Sequence, residues 1–309
     1  MSASIKIGTR SSALALWQAH HVQALLEAQG LQTELVPIQS HGETDLVTPL
    51  YEIGVQGIFT KALDQALLNG QIDLAVHSLK DVPTLLPQGL VLAATPPRGD
   101  HRDVLVYKTE AALPDEAHSY LVATSSLRRR AQWLHRFPSH QTEPLRGNIN
   151  TRLQKLLDNA HWQGALFAAA GLQRIQLAVP NQVALDWMLP APAQGALGLI
   201  CRAPDVDLLR ACAAIHDVDT GICTHAERQF LRTLRGGCTM PVGAYAEVQD
   251  GKLFFEGNIL SEDGCEKVAV KMDFPLEQAM QAGQLAGQDV LERGGAALVK
   301  ALRPKEGGR

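Results

Sequence analysis

The sequence predicts an α/β protein with a smaller α+β region at its end, and three observations predict it. Strand-like and helix-like segments alternate over the first 200 residues, the pattern of α/β units on largely parallel sheets. The pattern restarts near residue 97, after "PPRGDHRD", so two such domains are expected. From about residue 215 the texture changes to one helix, three strands and a closing helix. A chain of 309 residues accommodates this, since domains run to roughly 100–200 residues each. The expected boundaries are 1–96 together with 196–214 for the first α/β domain, 97–195 for the second, and 215–309 for the α+β domain.

The elements follow in order. "SIKIGT" reads as a strand and "SSALALWQAHHVQALLEAQG" as a helix. Leu14, Trp17, His21 and Leu25 make one face of that helix, Ser11 or Ser12 can cap it, and Gly30 can close it. "TELVPIQ" is the next strand, "FTKALDQALLNG" a helix, and "IDLAVHSL" and "LVLAATP" two more strands. In the second domain "DVLVYK", "YLVATS", "EPLRGN" and "ALFAAAG" read as strands, with "SLRRRAQWLHRF" and "TRLQKLLDNA" as helices between them. "LPAPAQGALGLICR" crosses over, its strand returning to the first sheet. The last domain has the helix "TGICTHAERQFLRTLR", the strands "VGAYAEV", "KLFFEGNIL" and "KVAVKMDF", and a helix from about residue 275.

Composition narrows the function. Hydrophobic residues make up 46% and charged residues 19%, as in globular proteins, and aromatics at 5% imply aliphatic cores. The formal charge of -4 offers no general attraction to nucleic acid or anionic membranes. No apolar run approaches the roughly 20 residues of a membrane span, and "MSASIKIGTRSS" lacks the pattern of a secretory signal. A cytoplasmic protein is expected. Cys201, Cys212, Cys223, Cys238 and Cys265 form no close pair of the kind zinc sites use, so free thiols and no metal are expected. Cys201 and Cys212 read as small buried residues.

Ligands of open α/β sheets bind beyond the carboxyl ends of the strands, and those positions are polar here. They carry Thr9-Arg10-Ser11-Ser12, His77-Ser78 with Lys80-Asp81, Thr124-Ser125-Ser126 with Arg128-Arg129-Arg130, Arg146-Gly147-Asn148 with Arg152, and Gly171 with Arg174. Ser/Thr clusters opening helices offer free N–H groups to carboxylates or phosphates, and guanidinium forks bind carboxylates bidentately. Residues 123–155 hold six arginines and one lysine against Glu143. The reading is a polyanion in a cleft between domains, with Arg130 turned toward solvent. No Gly-Lys-Ser/Thr loop and no G-x-G-x-x-G after a strand is present, so carboxylates are the better ligand than a nucleotide. "RTLRGGCTMPVGAYA" sets Cys238 in a Gly-Gly hinge, accessible and of conformationally permissive backbone.

The stretches "GTRSSALALWQA", "AVHSLKDVPTLLPQGL", "VATSSLRRRAQ", "LRGNINTRLQKL", "AAAGLQRI", "PAPAQGALGLICR" and "LRGGCTMPVGAYAE" together resemble the porphobilinogen deaminase (hydroxymethylbilane synthase) family. They occur in family order and cover almost the whole chain. The resemblance implies two domains shaped like type II periplasmic binding proteins and a third carrying a cofactor cysteine. It implies joining of four porphobilinogen molecules, with loss of ammonia, into linear hydroxymethylbilane on a dipyrromethane primer held as a thioether by Cys238. By position within matching motifs, Lys80, Arg128 and Arg129 resemble residues holding the dipyrromethane, with Thr124, Ser125 and Ser126 beside them. Ser78, Arg146, Gly147 and Gln194 also lie in matching stretches. Arg10, Ser12, Arg146, Arg152 and Arg174 resemble clamps for the carboxylates of substrate and growing polypyrrole, and Phe59 an aromatic near the catalytic group.

Asp81 matches the family's catalytic carboxylate. Loss of ammonia leaves an azafulvenium-like cation, which the α-carbon of the terminal pyrrole attacks, and that α-carbon must then lose its proton. A carboxylate near the pyrrole nitrogens can stabilise the one and relay the other. Without the motif, Asp81 reads as a turn carboxylate paired with Lys80; His77, which precedes Ser78 in the motif, reads as a satisfied structural histidine. Ser40-His41-Gly42-Glu43 stands where the family has Thr-Lys/Arg-Gly-Asp, and Gln56 replaces a common lysine. Both lie in a segment (about 40–58) that resembles the family's lid. The family is usually monomeric. Two rivals remain at this point: a two-lobed solute-binding module, which leaves Cys238 unexplained, and a thiol enzyme using Cys238 with His225 as base.

Overall fold

The computed structural model describes residues 4–39, 60–109, 114–115, 118–236 and 240–303. In chain order the first elements are β1 (Ile5–Thr9), α1 (Ala13–Glu27), β2 (Thr33–Pro37), α2 (Lys61–Leu68), β3 (Leu74–Ser78) and β4 (Leu90–Ala94). Then come β5 (Asp103–Tyr107), β6 (Leu121–Ala123), α3 (Leu127–Arg136), β7 (Gln141–Glu143), α4 (Ile149–Asp158), β8 (Gly164–Ala168), α5 (Ala169–Arg174) and β9 (Asn181–Ala184). The chain closes with β10 (Leu197–Arg202), α6 (Val206–Ala213), α7 (Val218–Thr233), β11 (Val242–Gln249), β12 (Lys252–Leu260), β13 (Lys267–Pro275), α8 (Ala279–Val290) and α9 (Ala296–Ala301). They form two compact units. One comprises Met1–His101, Ala168–Ala178 and Gln194–Gly221, the other Arg102–Phe167, Val179–Ala193 and Ile222–Arg309.

The first unit is built on a five-stranded sheet in the order β2-β1-β3-β10-β4. β1 runs parallel to β2 and β3, whereas β10 is antiparallel to both β3 and β4. The sheet is thus largely parallel, as expected, and mixed only through β10, which arrives from far along the chain and enters from the opposite end. Ile7, Leu74, Leu197 and Leu199 are buried, as strands covered on both faces require. α1 begins at its Ser12 cap, whose side chain accepts from Ala15 N–H at 3.3 Å. Its buried stripe is Ala15, Gln18, Ala19, Val22 and Leu26, not the Leu14–Trp17–His21–Leu25 face expected from size. Small residues face the sheet because they allow close approach. The larger face is half-buried, and its Trp17 and His21 rings stack at 5.1 Å.

The second unit contains two sheets. Its five-stranded sheet has the order β7-β6-β8-β5-β9, so that β5, the unit's first strand in sequence, lies fourth. β6 is parallel to β7 and β8, and β9 is antiparallel to β5. Here "EPLRGN" is not a strand: β7 is Gln141–Glu143, and Leu145–Asn148 form the loop entering α4. Pro144 explains the shift, since it has no N–H for a ladder.

The other sheet of this unit is the antiparallel meander β11-β12-β13. Asp250 and Gly251 both have positive φ, 50° and 73°, in the two-residue turn joining β11 to β12, the geometry that Asp-Gly favours. α7 and α8 cover this sheet. Phe230, Phe255, Ile259 and Val290 are fully buried there, each worth about 1.5–3 kcal/mol of apolar burial. A Cβ on Gly283 would lie 1.9 Å from Ala226 O, so the two helices cross in contact and only glycine fits. No helix among the described residues is long and apolar enough to cross a membrane.

Candidate active site

In the first unit, parallel pairing brings the carboxyl ends of β1 and β3 to one edge. Antiparallel β10 starts at that edge, with Leu197 opposite Ser78. Leu79 N–H donates to Ala196 O at 3.0 Å, which fixes the turn after β3 against the segment before β10. Residues Leu79–Asp81 form one 3-10 turn there. Gln18 Nε2 donates to Ser78 Oγ at 2.7 Å, so a buried residue of α1 aims that hydroxyl. Lys80 Nζ donates to Oε1 of fully buried Gln194 at 3.3 Å. Gln194 Nε2 in turn donates to His101 O at 2.8 Å.

Asp81 is half-buried, and its carboxylate makes no hydrogen bond or ion pair with any described residue. The alternative reading of a turn carboxylate paired with Lys80 is therefore not met. An unpaired acid group at the end of a buried strand is costly to keep, and its neighbour's ammonium is occupied elsewhere. His77, 5% exposed, has no hydrogen-bond partner for Nε2 among the described residues. Burial, helped by the charge of Arg10, lowers its pKa to about 4, so the ring is neutral at pH 7. It is buried as expected, but not satisfied.

Arg174 ends α5 in the same unit. Its Nη2 donates to Gly195 O at 2.5 Å, and its guanidinium lies 5.5 Å from the Trp17 ring centre, a cation–π contact. Burial brings its pKa down to about 10. The same packing, with the charge of Arg174, lowers that of His21. Arg10 and Ser12 lie on the loop from β1 into α1.

In the second unit, the parallel strands β6 and β7 likewise end together. Ser126 caps α3 through Arg129 N–H, Thr124 Oγ1 accepts from Ser126 N–H at 3.2 Å, and Ser125 Oγ from Leu145 N–H at 2.8 Å. Arg128 and Arg129 are 5% and 6% exposed and flank Asp103, which is completely buried. Arg128 Nη1 reaches Asp103 Oδ2 at 2.6 Å, and Arg129 Nε reaches Oδ1 at 2.9 Å. Arg128 Nη1 also donates to Leu189 O, and Arg129 Nη1 to Leu166 O. Burial pulls the pKa of Arg129 down and Asp103 opposes it. Two guanidiniums against one carboxylate leave this buried cluster with a net charge of +1.

Arg146 adds a second unmet demand: its Nη1 is buried without a hydrogen-bond partner among the described residues. Gly147, at φ +116°, takes the turn into α4, and a Cβ there would meet Thr151 Cγ2 at 2.7 Å. Asn148 caps α4, accepting from Thr151 N–H at 2.9 Å, and Arg152 Nε holds Gly147 O at 2.7 Å. Arg130, expected to face solvent, is half-buried, and its Nε has no acceptor.

The structure thus brings together Arg10, Ser12, Ser78, Lys80, Asp81, Gln194 and Arg174 in one unit, and Thr124–Ser126, Arg128, Arg129, Arg146, Gly147 and Arg152 in the other. Cys238, Phe59, Ser40–Glu43 and Gln56 lie outside the described residues. Cys201, Cys212 and Cys223 are buried and form no disulfide among the described residues. Burial raises the pKa of Cys201 to about 11 and of Cys212 to about 12. His225 is exposed on α7. Two contributors escaped the sequence reading. Asp103 had a readable signal, a carboxylate heading the apolar run "DVLVY" that needs a buried cation. Gln18, one helical position among many, had none.

Each unit thus gathers guanidinium and hydroxyl groups at its strand ends, with a carboxylate unpaired among the described residues in the first and a buried surplus of positive charge in the second, the chemistry of a class of proteins suited to ligands that carry carboxylates. A dipyrromethane built from porphobilinogen carries acetate and propionate groups, and the orphaned Nη1 of Arg146 with the +1 cluster at Arg128 and Arg129 fits them. The family model described as "Porphobilinogen deaminase, dipyromethane cofactor binding domain" matches residues 5–210, and "Porphobilinogen deaminase, C-terminal domain" matches residues 221–292. The porphobilinogen deaminase of Syntrophotalea carbinolica is 44% identical over 97% of this chain and 96% of its own. That of Chromobacterium violaceum is 41% identical over 96% and 97%, and the chloroplastic one of Pisum sativum 40% identical over 95% and 83%. Among solved structures, a periplasmic substrate-binding protein from Coxiella burnetii matches at 13% identity over 69% of this chain and 92% of that one, with a TM-score of 0.42. The chain belongs to the porphobilinogen deaminase family, whose activity serves tetrapyrrole biosynthesis with a dipyrromethane cofactor.

Proposed function

We propose that this chain, a porphobilinogen deaminase, joins four porphobilinogen molecules head to tail into hydroxymethylbilane, on a dipyrromethane primer held as a thioether by Cys238, with Asp81 as the catalytic carboxylate. The observation that supports this most is the half-buried carboxylate of Asp81, unpaired among the described residues although Lys80 adjoins it. Dipyrromethane, when bound, supplies the free pyrrole α-carbon from which the chain grows.

The residues divide the remaining work. Each substrate loses ammonia as its C–N bond breaks, leaving a delocalised cation. Asp81 stabilises that charge as a fixed anion in a partly dry setting, where it is worth more than in water. After the new C–C bond forms, the α-carbon that made the attack gives up its proton, which passes to the Asp81 carboxylate and on to solvent, so that its ring regains aromaticity. Lys80, Ser78 and Gln194 in one unit, and Thr124, Ser125, Ser126, Arg128, Arg129, Arg146 and Gly147 in the other, hold cofactor carboxylates. Arg10, Ser12, Phe59, Arg146, Arg152 and Arg174 hold those of substrate and product. Each added ring brings two more carboxylates, which is why cations recur at several strand ends instead of forming one patch.

The chain acts as a cytoplasmic monomer of three domains: 1–96 together with 196–214, 97–195, and 215–309. Replacing Asp81 with Asn tests the assignment directly. Turnover falls by about 10²–10⁴-fold, the usual span for loss of a general acid–base group, while the folded state persists. A variant turning over at the wild-type rate rejects the role.

A further inference from the structure

We propose that Gln132 and Asn258 are positioning residues, which fix the strand that follows Cys238 to the helix that carries Arg128 and Arg129. The inference rests on the cofactor roles proposed for those three residues and adds a device neither motif contains. Gln132 is 5% exposed and Asn258 2%. Gln132 grips the Leu189 peptide from both sides, its Oε1 accepting from Leu189 N–H at 2.9 Å and its Nε2 donating to Leu189 O at 2.9 Å. The same Leu189 O accepts from Arg128 Nη1 at 2.7 Å. Asn258 Nδ2 then donates to Gln132 Oε1 at 3.3 Å, and Asn258 Oδ1 accepts from Gly243 N–H at 3.1 Å. One continuous chain of hydrogen bonds therefore runs from Arg128 through Leu189, Gln132 and Asn258 to Gly243, the second residue of β11 and five positions after Cys238 (243 − 238).

Two features argue against filler. The fit is tight, since a Cβ on Gly243 would meet both Asn258 Oδ1 and Leu189 Cβ at 2.8 Å. A parallel strut acts on the same strand: Ala244 N–H donates to Pro190 O at 3.0 Å, and buried Glu227 links Ala246 N–H (2.8 Å) to Ala193 N–H (2.6 Å). β11 is an edge strand. The N–H groups of Ala244 and Ala246 are thus spent on Pro190 O and the Glu227 carboxylate instead of a further strand. An apolar contact would hold these parts together at no greater cost, but it tolerates sliding, whereas a fully satisfied polar network specifies one register. The strand that follows the cysteine in sequence and the helix that carries the two guanidiniums are in this way referred to one frame, as second-layer support requires of a precise site.

The test uses full-length protein as purified, with intact mass giving the fraction of chains that carry the dipyrromethane and turnover expressed per loaded chain. Gln132→Met and Asn258→Ala each lower kcat per loaded chain by about ten- to a hundredfold, the cost of sub-ångström to ångström misplacement, with KM within about twofold. The double variant is no worse than the more affected single, because both cut one chain of bonds. Asn258→Asp, which keeps the acceptor for Gly243 and drops the donor to Gln132, falls between. Val270→Ala, which removes buried apolar volume from β13 outside the network, lowers the melting temperature yet retains wild-type kcat per loaded chain. Wild-type kcat in Gln132→Met and Asn258→Ala, or an equal loss in Val270→Ala, overturns the proposal. Wild-type protein without any adduct overturns instead the cofactor reading beneath it.

Discussion

Replacing Asp103 with Asn tests the electrostatics of the arginine cluster in isolation from the chemistry. The substitution preserves shape but removes the charge that faces two guanidiniums at 2.6–2.9 Å, in a pocket where Asp103 is wholly buried. The net charge of the cluster rises from +1 to +2. Removing one partner of a buried ion pair costs about 3–5 kcal/mol, because it leaves the other uncompensated. Taking about 4 kcal/mol and roughly 2–4 °C per kcal/mol for a chain of this class, the melting temperature falls by about 8–16 °C. That loss is a large share of the roughly 5–15 kcal/mol that holds most proteins folded. Thermal unfolding by circular dichroism measures it. A variant melting within about 2 °C of wild type refutes the reasoning.

Other expected outcomes follow from single residues. His77 titrates near pH 4 when folded and near 6.5 when unfolded. The unfolded chain therefore binds more protons between those values, and stability drops as pH falls through that window, by about 3 kcal/mol in all. His77→Gln removes this component, so parallel melting-temperature profiles of the two proteins from pH 7 to 4 speak against a buried neutral ring. Gly147→Ala places a side chain at φ +116° and within 2.7 Å of Thr151. A loss of about 1–3 kcal/mol is expected, read by chemical denaturation, together with a raised KM for porphobilinogen because Arg146 shifts. Arg146→Met, with its orphaned Nη1 gone, raises KM without lowering the melting temperature; an unchanged KM excludes it from the substrate set.

The strands and helices that form single runs of one texture were legible in the sequence, as were the strand-end residues, because periodicity and motif both depend only on near neighbours. What was not legible depended on partners distant in the chain. The direction of β10 is set by its entry between β3 and β4, some 100 residues upstream, and no local pattern reveals it. The buried face of α1 went to Ala15, Ala19 and Val22 because close helix–sheet packing outweighs side-chain size, which left Trp17 and His21 to meet Arg174. β7 slid to Gln141–Glu143 because Pro144 cannot donate to the ladder, although the residues after it read as strand. β9, four half-exposed residues, offered no apolar run at all. The occupation of Arg128 and Arg129 by Asp103 required knowing that β5 lies near α3.

Intact mass of the freshly purified chain, followed by peptide mapping, bears most directly on the claim that Cys238 permanently holds the primer. The expected result is a single two-pyrrole increment confined to the peptide that contains residue 238, absent from Cys238→Ser, which neither carries the adduct nor condenses porphobilinogen. A bare chain mass in active wild-type protein, or a Cys238→Ser variant that still makes hydroxymethylbilane, contradicts it.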